Sequence, residues 1–253
     1  MTSHLVIPDS HAHYLHHNQR AEWLGHLIND LKPDVVVHIG DSADMPSLSG
    51  YDKGKKSFQG RTYRADIDAH LDWQDRCWSI VKAAKKRLPR RVFCIGNHEQ
   101  RIVKAIDIQP ELEGTISMED LHLDYFYDEV VPYQGGSPGS IELDGIHYAH
   151  YHVSGLMGRP VAGEHPAYSL VSKRFVSCTA GHSHLADLCI RTDTAGRKIM
   201  GCLAGVYQDY ESDWAGEVNR LWWRGVVFKR NVSAGAYDPE FISLDRIRQT
   251  YGT

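Results

Sequence analysis

Three short apolar runs, Leu5-Val6-Ile7, Val35-Val36-Val37-His38-Ile39 and Val92-Phe93-Cys94-Ile95, punctuate the first hundred residues and read as buried strands. The segments between them have helical spacing. Leu24, Leu27, Ile28 and Leu31 recur on one face, with Asn18 as a candidate N-cap and Pro33 as a stop; Ile67, Leu71, Cys77, Trp78 and Val81 mark a second helix. After Gly135-Gly136-Ser137-Pro138-Gly139 the pattern turns to strands, expected over 140–149, 174–180, 186–192, 198–204 and 222–229. Helices on the outside of two packed mixed sheets satisfy this order. No internal repeat or low-complexity segment interrupts it.

Five short polar clusters sit at the ends of apolar runs: Asp9-Ser10-His11, Gly40-Asp41, Gly96-Asn97-His98-Glu99, a histidine near position 150, and Gly181-His182-Ser183-His184. In open α/β sheets, ligands lie beyond the carboxyl ends of the strands, and Asp9, Asp41 and Asn97 each follow one directly, so they are expected to converge. Two adjacent divalent ions need a bridging anionic oxygen, further oxygen or nitrogen ligands, and open positions for water and substrate. Asp41 is the natural bridge. If the segment is extended, the Asp9-x-His11 alternation puts both side chains on one side, and His182-x-His184 repeats that spacing. Asn97 offers a neutral carbonyl oxygen, and its neighbour His98 is left free for proton transfer.

The series Asp9-x-His11, Gly40-Asp41-x-x-Asp44, Gly96-Asn97-His98-Glu99, His150 and Gly181-His182-x-His184 resembles that of the calcineurin-like metallophosphoesterase superfamily, over roughly residues 5 to 190. The resemblance implies an α/β fold, a four-layer αββα sandwich of two mixed β-sheets flanked by helices. It further implies that Asp9, His11, Asp41 and His184 bind one metal and Asp41, Asn97, His150 and His182 the other. His98 would be the general acid or transition-state stabiliser, oriented by Asp44. The activity implied is hydrolysis of phosphodiester bonds by attack of a metal-bridging hydroxide. The closing Gly181-His182-x-His184 is similar to the branch holding Mre11-type nucleases and small phosphodiesterases. A phosphomonoesterase, including a protein phosphatase, is the alternative; those phosphatases usually follow the Gly-Asp-x-x-Asp motif with Arg-Gly, whereas Met45-Pro46 follows Asp44 here. A metal-dependent scaffold without turnover would require a missing ligand or acid, and none is missing.

The fourth cluster holds three candidates, His147, His150 and His152, in one run. His150 fits the ligand role because it ends the apolar run, leaving His152 as a substrate contact and His147 as a buried or cross-strand residue. His13, His16 and His17, beside the first cluster, read as loop histidines.

At 253 residues and 42% hydrophobic, the chain can bury one full core, so residues 1–253 are expected to form a single metallophosphoesterase domain. The five cysteines form no CxxC pair, which points away from a disulfide framework or zinc knuckle and toward a reducing, cytoplasmic setting. No membrane association is expected, since Pro8-Asp9 interrupts the N-terminal apolar run at once. Oxygen and imidazole donors without thiolate suit two divalent ions, manganese first, with iron, zinc or nickel open.

For substrate, a phosphodiester is expected: DNA, RNA or a small molecule. A net charge of −4 does not forbid polynucleotide binding but lends it no support. The segment 54–64 follows the second metal cluster, so Lys55, Lys56, Arg61 and Arg64 are the expected phosphate-gripping cations, with Tyr51, Phe58 or Tyr63 stacking on a base. An ordinary surface loop is the competing reading. The basic run 82–91 precedes the third strand and reads as a solvated helix end. Trp222-Trp223 and the residues after them read as an edge or core strand. Protein partners are left open.

Overall fold

The computed structural model describes residues 1–252. Its first half alternates strand and helix: β1 (Thr2–Ile7), α1 (Gln19–Leu31), β2 (Val35–His38), α2 (Tyr63–Ala83), β3 (Arg90–Cys94), α3 (Arg101–Ile108), α4 (Leu123–Phe126) and β4 (Glu129–Val131). The short ribbon β5 (Tyr133–Gln134) and β6 (Ser137–Pro138) follows. Then come β7 (Ile141–Leu143), β8 (Ile146–Tyr148), the two-residue strands β9 (Val153–Ser154) and β10 (Arg159–Pro160), α5 (Pro166–Arg174), β11 (Ser177–Ala180), β12 (Ala186–Thr192), β13 (Lys198–Ala204), β14 (Gly225–Ser233), β15 (Ala236–Ser243) and α6 (Leu244–Tyr251).

Two mixed sheets result. The first runs β15-β14-β1-β2-β3-β4, with β1 to β4 parallel and β14 and β15 antiparallel; the second runs β12-β13-β11-β8-β7, with β8, β11 and β13 parallel and the outer strands antiparallel. The apolar runs are buried on both faces because both faces are covered. Leu5, Ile7, Val36, Phe93 and Ile95 point one way into a core shared with α1 and α2, whose contributions include Leu24, Ile28, Trp73 and Trp78. Their neighbours Val6, Val37, Ile39, Val92 and Cys94 point the other way, against Ile146, Tyr148, Met200 and Cys202 of the second sheet. On the far side of that sheet, Ala167 and Leu170 of α5 pack on Cys178 and Leu203. Helix, sheet, sheet and helix form four layers, an αββα sandwich.

Several expected boundaries move. The run 140–149 is a hairpin, β7 and β8, turned by Asp144 (φ 51°) and Gly145 (φ 85°), two successive left-handed residues as a tight two-residue turn requires. Residue 174 ends α5 rather than opening a strand, and β14 begins at Gly225 rather than at residue 222. Asn18 occupies the N-cap position of α1, but its amide donates to the Ala69 carbonyl (2.9 Å) and to Asp72 (3.0 Å), tying α1 to α2 instead of capping. Among the described residues no helix is long and apolar enough to cross a membrane.

Candidate metal centre

The carboxyl ends of β1, β2 and β3 of the first sheet meet those of β8 and β11 of the second, and all five polar clusters lie there. The chain does not reach this place in extended form. His11, Asp41, Met45, His182 and His184 all have left-handed backbone, with φ of 42°, 50°, 49°, 65° and 60°. Convergence therefore comes from sharp turns and not from the strand alternation expected of Asp9-x-His11 and His182-x-His184. Non-glycine residues pay for such turns with strain, and clustering at one place marks a site the surrounding structure over-determines. Two of these turns are laced together: His11 N–H donates to the Asp41 carbonyl (2.9 Å) and Ala12 N–H to that of Ser42 (2.7 Å).

Two groups of donors built on Asp9 and Asp41 result, beside a third formed by His11, Asp44 and His98. In one, Asp9 Oδ2 lies 3.2 Å from His184 Nε2, which is 3.2 Å from His11 Nε2. In the other, His150 Nε2 is 3.2 Å from Asp41 Oδ2, 2.9 Å from Asn97 Oδ1 and 3.2 Å from His182 Nδ1. Within each group the donor atoms lie close enough to share one ion. Imidazole nitrogens turned on one another beside buried carboxylates suit a cation between them. Burial alone would raise the pKa of Asp41, yet His150, His98 and His11 hold it well below the ordinary carboxylate range. Burial would likewise lower His150, but Asp41 and Asp9 hold it at about 9. The donor set thus fits divalent ions bound through oxygen and nitrogen.

Supporting contacts fix these side chains. His150 Nδ1–H donates to the Ile39 carbonyl (2.9 Å) and His11 Nδ1–H to Asp44 Oδ1 (3.0 Å), which turns each Nε2 to the centre. Glu99 accepts from the backbone N–H groups of Asp41 (3.0 Å), Ala43 (3.0 Å) and Gly96 (2.9 Å), binding the second and third clusters together. The space is too tight for side chains at two glycines. A Cβ on Gly96 would lie 2.2 Å from Asp41 Oδ1, and one on Gly181 would lie 2.2 Å from Asp9 Oδ1.

His98 stands beside the second group. Its Nδ1 is 2.7 Å from the Asp44 carbonyl oxygen and 3.2 Å from Asp44 Oδ1, and its Nε2 is 3.7 Å from Asp41 Oδ2. Asp44 thus holds both His98 and His11. These two contacts keep it ionised well below the usual range, against the effect of burial.

Of the expected residues, Asp9, His11, Asp41, Asp44, Asn97, His98, His150, His182 and His184 are brought together. His152 is not. It is buried, with Nε2 unpartnered, in an environment of Arg174 and His147, and it does not line the cleft beside the centre. The loop cations also point elsewhere. Arg61 donates to Asp52 (2.7 Å) and to the Pro46 carbonyl (3.1 Å), Lys55 faces Asp52 (3.6 Å), Arg64 pairs with Asp68 (3.0 Å), and Lys56 is exposed. Tyr63 holds its hydroxyl against Asp120 (2.7 Å) and the Ser117 carbonyl (3.1 Å), and it does not line the cleft beside the centre.

A cleft of about 780 Å³ opens beside Asn97 and His182, and its cations are Lys53, Arg101 and Lys104. Tyr51, Phe58, Ile108 and Tyr151 supply apolar wall. None of these except Tyr51 and Phe58 figured in the sequence reading. Arg101 carried a usable signal, since it follows Glu99 by two residues and opens α3. Trp222, expected in a strand, instead packs edge-on against His184, with centroids 4.2 Å apart. His13 lies 3.8 Å from Asp44 Oδ2, and His16 stacks on Tyr210.

No family model and no curated protein matches the chain. Among solved structures it is similar to an archaeal phosphodiesterase (11% identity, 95% of this chain and 99% of that one, TM-score 0.44). It is also similar to YfcE, a phosphoesterase from E. coli (12%, 95% and 100%, TM-score 0.40), and to the nuclease MPE of Pseudomonas putida (12%, 94% and 87%, TM-score 0.38). At these identities and scores the likenesses carry no weight, and the chemistry is read from the residues themselves.

Proposed function

We propose that the chain is one binuclear metallophosphoesterase domain, of the calcineurin-like kind its motifs resemble, that hydrolyses phosphodiesters. The observation that carries this reading is the pair of donor groups, Asp9-His11-His184 and Asp41-His150-His182, the second of which borders, through His182 and the adjoining Asn97, a cleft walled by cations and aromatic rings. Asp41 would be shared between the ions, with Asn97 adding a neutral oxygen ligand. When bound, two divalent ions would polarise the phosphoryl oxygens and make water nucleophilic near neutral pH.

The remaining work falls to the chain. With its Nδ1–H fixed on Asp44, His98 holds Nε2, 3.0 Å from Arg101 Nη2, beside the second donor group, where once protonated it would assist the departing oxygen. Lys53, Arg101 and Lys104 would attract and orient the phosphate-bearing substrate, and Tyr51 or Phe58 could lie against a base. A polynucleotide, DNA or RNA, suits such a wall, and a small phosphodiester would use the same groups. Manganese leads the metals to be tested, with iron, zinc and nickel beside it.

The test is reconstitution of the metal-free protein with each ion, followed by assay on bis-p-nitrophenyl phosphate, p-nitrophenyl phosphate, and single- and double-stranded DNA and RNA. Diester hydrolysis that requires about two ions per chain is the expected result. Hydrolysis of the monoester alone would favour the phosphomonoesterase alternative, and no hydrolysis with both ions bound would overturn the reading.

A further inference from the structure

We propose that Arg101 grips a non-bridging oxygen of the scissile phosphate, an assignment that rests on the phosphoesterase reading of the adjacent centre. The side chain is anchored through one nitrogen: Nη1 donates to the carbonyl oxygens of Asp44 (2.8 Å) and Met45 (3.1 Å). Those carbonyls belong to the turn containing left-handed Met45, which is fully buried and so makes a fixed platform. The other nitrogen, Nη2, lies 3.0 Å from His98 Nε2. A guanidinium only donates, so Nη2 aims an N–H at Nε2 of a ring whose Nδ1 is held on the Asp44 carbonyl.

Two features separate this arginine from a structural one. Among the described residues Arg101 forms no ion pair, although nearly every arginine before it in the chain does: Arg20 with Asp209, Arg61 with Asp52, Arg64 with Asp68, Arg76 with Asp72, Arg90 with Glu129 and Arg91 with Asp128. Its direct hydrogen-bond partners are two backbone carbonyls and the His98 ring, weaker acceptors than a carboxylate in contact, although Asp66 lies close enough to feel its charge. It also lines the cleft beside Asn97 and His182, two of the second group's donors. A phosphate oxygen arriving there would meet a half-buried, partly desolvated cation already aimed by its other arm. The rigid planar fork suits a tetrahedral oxyanion better than an ammonium would. The contact to His98 is the one that phosphate would replace, freeing Nε2 to take up from solvent the proton it would pass to the leaving group.

The experiment uses the full chain loaded with metal and inorganic phosphate as probe. Metal content by elemental analysis, phosphate affinity by calorimetry, and kcat/KM on aryl phosphodiesters of graded leaving group are measured for wild type, Arg101→Gln, Arg101→Lys and His98→Ala. We expect Arg101→Gln to keep both ions, to bind phosphate about 10- to 100-fold more weakly, and to lose kcat/KM by a similar factor for every leaving group, because a charge-assisted bond to a non-bridging oxygen is lost. His98→Ala should instead lose most on poor leaving groups. Arg101→Lys should recover part of the affinity. Guanidinium ion added at millimolar concentration should restore part of the Arg101→Gln rate, which a purely structural role would not allow. The proposal is overturned if Arg101→Gln binds phosphate within about twofold of wild type, if its losses track lost metal, or if metal-loaded wild type binds no phosphate. Failure of the phosphoesterase reading is a separate result: phosphate binding that depends on Arg101 without diester hydrolysis by wild type.

Discussion

Replacing Gly181 by alanine tests the centre without touching a ligand. A Cβ at this position would lie 2.2 Å from Asp9 Oδ1, 3.3 Å from Asp9 Cγ and 3.0 Å from Ile39 Cδ1. A carbon and a carboxylate oxygen need more than 3 Å, so the Asp9 carboxylate must retreat by about 1 Å, and Ile39 blocks relief on the other side. Retreat would stretch the bonds Asp9 accepts from the His182 N–H (3.0 and 3.3 Å) and its 3.2 Å approach to His184. Overpacking of this size costs about 1–3 kcal/mol. A misplacement of about 1 Å at a reacting centre costs about 10²-fold in rate. Gly181→Ala should therefore fold with a lowered melting temperature, bind its ions about 10- to 100-fold more weakly, and hydrolyse a diester at about one hundredth of the wild-type rate. Elemental analysis, a metal titration and bis-p-nitrophenyl phosphate turnover measure these effects. A variant with wild-type affinity for both ions and wild-type turnover would refute the claim that Asp9 is held in a ligating position.

The other predictions concern separate parts of the molecule. Asp41→Asn removes the shared charge and should abolish turnover with loss of at least one ion by elemental analysis; normal activity with two ions bound would contradict a bridging role. His98→Ala should retain metal while losing about 10²–10⁴ in rate, most on poor leaving groups, in a leaving-group series. Replacing Lys55, Lys56 and Arg64 should leave DNA or RNA cleavage and its salt dependence nearly unchanged, whereas replacing Lys53 with Lys104 should weaken cleavage and flatten that dependence, because fewer counterions are released. Burial brings Lys229 from 10.5 down to about 8, between the Tyr148 and Tyr237 rings and against the Thr179 hydroxyl. The unfolded chain holds that proton up to a pH of about 10.4, so it binds more protons between about pH 8 and 10, and native stability should rise with pH in that window. Denaturant titrations should show this rise and its absence in Lys229→Met, which should also be about 1–3 kcal/mol more stable at pH 7 once the charge is gone.

The parts of the fold that could be read in the sequence are those whose residues face apolar surroundings on both sides. Val35-Val36-Val37 can sit only where helices cover one face and a sheet the other. Among the later elements, α5 and β15 were less legible because their apolar patterns are short or broken. In α5 the apolar contacts reduce to a few residues such as Ala167 and Leu170, and Pro239 masks β15, which tolerates it as an edge strand. The candidate ligands were legible as residue types in order. Their means of convergence was not, since left-handed backbone at His11, Asp41, His182 and His184 has no signature in non-glycine residues. The cleft cations escaped because proximity in sequence to the second cluster suggested the 54–64 loop. Asp52, Asp68 and the Pro46 carbonyl occupy most of those charges, and α3 brings Arg101 and Lys104 from another direction.

The donors come from two different sheets: Asp9, His11, Asp41 and Asn97 from loops of the first, and His150, His182 and His184 from loops of the second. Between the sheets lies a greasy seam of side chains such as Val37, Ile39, Tyr148 and Cys202, and the polar centre closes one end of it. On our reading, ions at that end would act as a clasp across the seam. Their loss would leave facing imidazoles and carboxylates with nothing between them, and the two halves would part there first. The lifetime of the protein against proteases would then follow the supply of its ions.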